Sequence, residues 1–190
     1  MSLRVVCRAR PLLAGFLTLA AVTGCASGSA TSTPSLSSGT TPPVPPTAAS
    51  SGNPQVLARQ AYLNMWQALV TASKTADYQS PALARYAAGG ALSLLVHDLY
   101  ANYKDGIVTR GEPSFSPTVT IPAASGGVQQ ADVTDCANTS TWANYTRSGK
   151  LIAGEPHGSR KIIARLQEFN PAASPAWKVT YLNVGQAGTC

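Results

Sequence analysis

From Pro54 onward, apolar residues recur at the spacing of a helix. Leu57, Ala61, Tyr62, Met65, Trp66, Leu69 and Val70 fall on one stripe. Asn53-Pro54 gives that stripe a start, because an asparagine accepts a free N–H at a helix N-terminus and proline fits the first turn. The pattern predicts a helix from Pro54 to about Lys74. Ser80-Pro81 opens a second, short helix through Ala82, Leu83, Arg85 and Tyr86, and Gly89-Gly90 breaks it. Leu92, Leu95, Val96, Leu99 and Tyr103 align on the face of a third, which Asp105-Gly106 closes.

After Gly106 the period shortens to two. Val119 and Ile121 alternate with polar residues, Gly126-Gly127 makes a turn, and Val128–Cys136 follows as a strand. Thr141–Arg147, Arg160–Phe169 and Trp177–Val184 are strand-like too, separated by Asn138-Thr139, Ser148-Gly149-Lys150, His157-Gly158 and the Pro171–Pro175 connection. Helices first and strands after predict an α+β domain, with three N-terminal helices packed on one face of an antiparallel sheet.

The first 53 residues follow neither period. Arg4, Arg8 and Arg10 precede an apolar run from Pro11 to Val22. That run is too short for a bilayer core, which needs roughly 20 residues. Together they have the layout of a signal peptide, residues 1–24. Val22-Thr23-Gly24-Cys25 resembles a bacterial lipobox, which makes Cys25 the lipidation site and the first residue after cleavage. The alternative is an ordinary secretory signal with an incidental cysteine. Two acyl chains on one residue hold a protein at a membrane without further contact, at about 0.8 kcal/mol per buried methylene. The expected location is therefore the outer face of the cell membrane, facing the cell wall. Residues 25–53 form a Ser/Thr/Pro/Gly/Ala stretch without charge, too poor in apolar surface to fold, and Thr41–Pro46 favours polyproline II. It reads as a tether, with a recognition segment or glycosylated stalk as the alternative. The remaining 54–190 segment has the size of one domain.

This processing changes the charge. The chain carries fourteen Lys and Arg against eight Asp and Glu, and three of the arginines lie in the signal, so eleven face eight in the mature protein. They are scattered, with one small cluster at Arg160-Lys161 and Arg165. A nucleic-acid partner would require a dense basic stripe, so none is expected. Of the four cysteines, Cys7 leaves with the signal and Cys25 is lipidated. Cys136 and Cys190 remain, and outside the cytoplasm they form a disulfide most simply. Free thiols or a metal site would compete with it, but His97 and His157 are the only histidines and neither stands at ligand spacing. No metal or cofactor is expected.

Strand parity singles out one candidate for chemistry. Ala131, Val133 and Asp135 share a face that looks into the core, so Asp135 is an inward carboxylate, a weak general-base candidate. At a strand end it also suits local backbone bonding. In the last strand parity groups Trp177, Val179 and Tyr181, so Trp177 and Tyr181 join Asp135 as pocket candidates, with plain core packing as the alternative. His97-Asp98 lies off the buried stripe of its helix, where adjacent residues point apart. His157 sits in an exposed Pro-His-Gly turn.

The three helices, the strand meander, Thr134-Asp135-Cys136 followed by Trp142, and the ending Trp177-Lys178-Val179-Thr180 resemble the nuclear transport factor 2-like superfamily. The likeness is to its small exported actinobacterial lipoproteins of unknown function. The resemblance implies a curved sheet forming a cone, a pocket at the open end and dimerisation through the sheet. It implies no single activity, because such folds host enzymes, binders and scaffolds alike. The expected role is a non-catalytic module that binds a small apolar ligand or an envelope protein. The alternatives are an accessory subunit of an envelope transport system, or an isomerase, cyclase or hydrolase using Asp135.

Overall fold

The computed structural model describes residues 52–124, 127–154, 156–171 and 173–190. The signal, Cys25, nearly all of the tether and Gly126 of one expected turn lie outside them. Helix α1 (Pro54–Ser73) begins as its sequence requires: Asn53 accepts the Gln55 N–H at 2.9 Å, and Pro54 occupies the first turn. After α2 (Pro81–Tyr86), the chain extends for two residues and Ala88 donates its N–H to the Val179 carbonyl at 2.8 Å. Helix α3 (Gly89–Asp105) starts at Gly89 itself, so the break lies just before the glycine pair rather than on it. Gly106, at φ 67°, ends α3 in the left-handed conformation that glycine adopts without strain. No helix among the described residues is long and apolar enough to cross a membrane.

The strands form two antiparallel sheets, which corrects the expectation of one meander. β1 (Ile107–Arg110), a strand the periodicity does not reveal, pairs with β4 (Ala143–Thr146) as a separate ribbon. The main sheet runs in the order β2 (Thr118–Thr120), β3 (Gln130–Asn138), β5 (Ser159–Glu168), β6 (Trp177–Val184). Its outer edge at β2 is fastened to α1, whose Gln55 and Arg59 donate to the carbonyls of Val119 and Pro117 at 2.6 and 3.0 Å. The helices lie over one face. There β3 and β5 set three alanines, Ala131, Ala137 and Ala164, among larger residues beneath the Tyr62, Met65 and Trp66 of α1. The opposite face is exposed and carries the cross-strand ion pair Asp132–Arg165 at 3.1 Å.

Cys136 and Cys190 form a disulfide with their Cα atoms 6.0 Å apart. The tail reaches it by following β5 beyond the end of β6. Gly185 and Gly188 donate to the carbonyls of Lys161 and Ser159, and Thr189 accepts the Lys161 N–H at 2.8 Å. Glycine is needed at 185, where a Cβ would stand 2.9 Å from the Lys161 carbonyl oxygen. All of this lies within one compact unit.

Candidate functional site

The three pocket candidates do not come together. Asp135 points inward as parity requires and is only 3% exposed. Both of its oxygens are already committed: Oδ2 accepts the Tyr62 hydroxyl at 2.9 Å and Oδ1 accepts the Ser116 N–H at 2.8 Å. The bonds join α1, β3 and the segment leading to β2, which suits a structural tie. Burial first, and then the charge of Asp135 and the bond to it, push the Tyr62 phenol far above its ordinary value. The Trp66 indole acts in the opposite direction. Trp177 is buried beside a cavity of about 160 Å³ next to α1 and α2.

Tyr181 is displaced by a bulge. Arg165 pairs with Tyr181 but the next residue, Leu166, pairs with Val179, so Thr180 is the extra residue in β6. Side-chain parity reverses there. Trp177 and Val179 face the core, Leu182 takes the next inward position at 7% exposure, and Tyr181 turns out to solvent at 50%. Tyr181 is therefore corrected from a pocket candidate to an outer-face residue.

A larger cavity than the one beside Trp177 lies elsewhere, at the end of the sheet away from the start of α1. It measures about 260 Å³. Its apolar walls are Trp66 and Leu69 of α1, Leu95 and Leu99 of α3, Phe115, Trp142, and Ala137, Ile162 and Val184 of the sheet. Trp66 stacks on Phe115 with ring centres 5.0 Å apart and meets Trp142 edge-on at 6.3 Å. Polar groups enter from the rim and the ribbon. Thr109 donates to Asn144 Oδ1 at 2.7 Å across β1 and β4. Arg160 projects from the same face of β5 as Ile162. Its Nε, Nη1 and Nη2 donate to Thr139 Oγ1, the Gly185 carbonyl and the Pro156 carbonyl at 3.2, 3.3 and 2.7 Å. Trp142 buries its indole N–H with no acceptor among the described residues.

Both histidines are exposed, as the sequence suggests, and His157 also stands at the cavity rim. His97 and Asp98 do approach, with Nδ1 and Oδ1 3.7 Å apart, despite being adjacent on the helix. Asp98 reaches the rim with a side chain 66% exposed. Partial desolvation raises its carboxyl above the ordinary value, and His97 draws it back. Among the described residues no group of three or more His, Cys, Asp and Glu could hold a metal ion.

No family model matches the chain, and no curated protein matches it in sequence. Among solved structures it is similar to the intermembrane space region of the chloroplast protein ARC6, at a TM-score of 0.41 and 11% identity, over 72% of this chain and 99% of that one. A likeness at that level carries no argument about what this chain does.

Proposed function

We propose that this protein is an exported lipoprotein held through Cys25 at the outer face of the cell membrane. In this reading its 54–190 domain is a cone-shaped, nuclear transport factor 2-like module that binds a small, largely apolar ligand without transforming it. The observation that carries the ligand reading is the cavity of about 260 Å³ between the helices and the sheet. Its lining divides almost evenly between aromatic and aliphatic side chains and polar groups that converge from the rim and the ribbon, and such a concave surface with placed polar groups supports a small-molecule site. Asp135, the candidate general base, is bonded within the core instead.

A protein partner on the outer sheet face is the second reading. It is favoured by Ile163 and Tyr181, 46% and 50% exposed on neighbouring strands. Native mass spectrometry of the protein extracted gently from its own host separates the two. Ligand binding predicts a mass increment that survives desalting and disappears on unfolding. An empty protein that runs as a dimer or with a protein partner moves the function to the outer face. An empty, monomeric protein removes both readings.

A further inference from the structure

We infer that the cavity selects a small amphiphile with an anionic head, and that Arg160 is the group that binds the head. The inference rests on the ligand-binding reading of the cavity. Its physical basis is a cation with no counter-charge among the described residues. Arg160 is half-buried, and its three hydrogen bonds to described residues all go to neutral oxygens. No carboxylate among the described residues forms an ion pair with it, whereas Asp132 pairs with Arg165 and Asp98 with His97. A charge withdrawn from water beside apolar walls is costly unless paired.

The three bonds fix the guanidinium plane and use three of its five N–H donors. A held guanidinium with donors to spare is suited to a carboxylate or another planar oxyanion, which it binds through charge-assisted bonds. His157, at the same rim, adds a second polar group of the right kind. Asp98 is the one acidic side chain of the lining, and it stays largely in solvent beside His97. The buried Trp142 N–H offers a further donor to a ligand oxygen.

The walls set the rest of the ligand. A cavity of about 150 Å³ admits benzene, so about 260 Å³ accommodates one ring or a short alkyl chain together with a head group. Trp66, Phe115 and Leu99 provide the surface for that apolar part.

The test compares isosteric probes that differ in charge. The protein is titrated with 3-phenylpropanoate and octanoate and with their primary amides, while the tryptophan indole N–H resonances are followed by NMR. Trp66 and Trp142 line this cavity and Trp177 the smaller one, so the resonances report where a probe sits. The expected result is shifts at Trp66 and Trp142, with the carboxylates at least about tenfold tighter than the amides. Arg160→Gln should bring that ratio close to one and leave amide affinity in place, and Arg160→Lys should keep part of the preference. Arg160→Gln also loses bonds to its neighbours; if it fails to fold, the acid-to-amide ratio of the unaltered protein still decides the matter. Equal affinities for acid and amide would overturn the anionic head while leaving the cavity as a ligand site. Shifts at neither Trp66 nor Trp142 would overturn both.

Discussion

The two ends of the inner sheet face are built from similar materials and handle polar groups differently. At the end nearest the start of α1, Tyr62 and Met65 fill the space above Ala131, Val133 and Leu166, and all are fully buried. Between the two ends Asp135, opposite Ile162 in the register, has a donor for each oxygen. At the other end the helices and the β1–β4 ribbon stand off from Ala137 and Ile162, and a cavity remains. The polar groups there are incompletely used: Arg160 has no carboxylate and the Trp142 N–H no acceptor among the described residues. Buried polar groups in native proteins are overwhelmingly bonded. The Trp177 indole N–H also lacks an acceptor among the described residues, so it is the charged groups that differ: Asp135 is bonded at both oxygens within the packed core, and Arg160 beside the cavity meets no carboxylate among the described residues.

The largest effect should come from removing the brace of the hollow end. The disulfide lies on the outer side of that end, adjoining Ala137 through Cys136, and closes a separation of 54 residues. In the chain-entropy account a loop of that length is worth about 4 kcal/mol. Cys190→Ser should lower the urea-unfolding free energy by that amount. It should also weaken ligand binding more than Tyr62→Phe does, because the freed tail runs beside Lys161 and reaches Gly185, whose carbonyl holds Arg160. Equal loss of binding in the two variants would mean that the brace supports the whole sheet and not its hollow end.

The filled end can be tested at its polar tie. Tyr62→Phe leaves one oxygen of a buried carboxylate without its donor, which should cost about 3 kcal/mol at neutral pH. The same residue makes the filled end sensitive to alkali. Its pKa is raised in the folded state, so above the ordinary value of 10.0 the native protein keeps a proton that the unfolded chain has lost. The stabilising contribution is complete below pH 10 and falls as pH rises beyond it, by about 1.4 kcal/mol per unit for one group. Urea unfolding at pH 8, 10 and 11 should show a steeper loss for the unaltered protein than for Tyr62→Phe. Parallel curves would mean that Tyr62 reaches solvent and that this end is not sealed.

Much of the filled end is legible in the sequence. The α1 stripe, the Asn53-Pro54 start, the Gly106 stop and the inward turn of Asp135 all follow from local rules that the packing obeys. β1 does not, because its four residues follow Gly106 directly and are too few to show a period. Tyr181 goes wrong for a different reason. Parity assumes an unbroken strand, and the extra residue Thr180 in β6 is a matter of pairing with β5. Arg160 was within reach of the same parity argument, since it shares a face with Ile162, but beside Lys161 in the sequence it reads as surface charge. The cavity itself is not legible. Its volume depends on how far side chains from α1, α3, the ribbon and the sheet reach toward one another, and no single segment encodes that.

The smallest effect tests the comparison most directly. Ala131 and Ala137 lie on the same face of β3, both with no exposed surface, one under the filled end and one at the cavity wall. A leucine at either position has the same shape and the same strand propensity, so the difference between the variants reports only the space above them. At Ala131 the added carbons meet a packed core, and overpacking of that kind costs about 1–3 kcal/mol. At Ala137 they reach toward the cavity that this residue lines, where neighbours have room to yield, so Ala137→Leu should cost less than Ala131→Leu. It should also abolish binding of the carboxylate probes, which Ala131→Leu should leave near its original strength. If the two substitutions cost the same and neither affects binding, the hollow end closes in solution and the contrast between the two ends disappears with it.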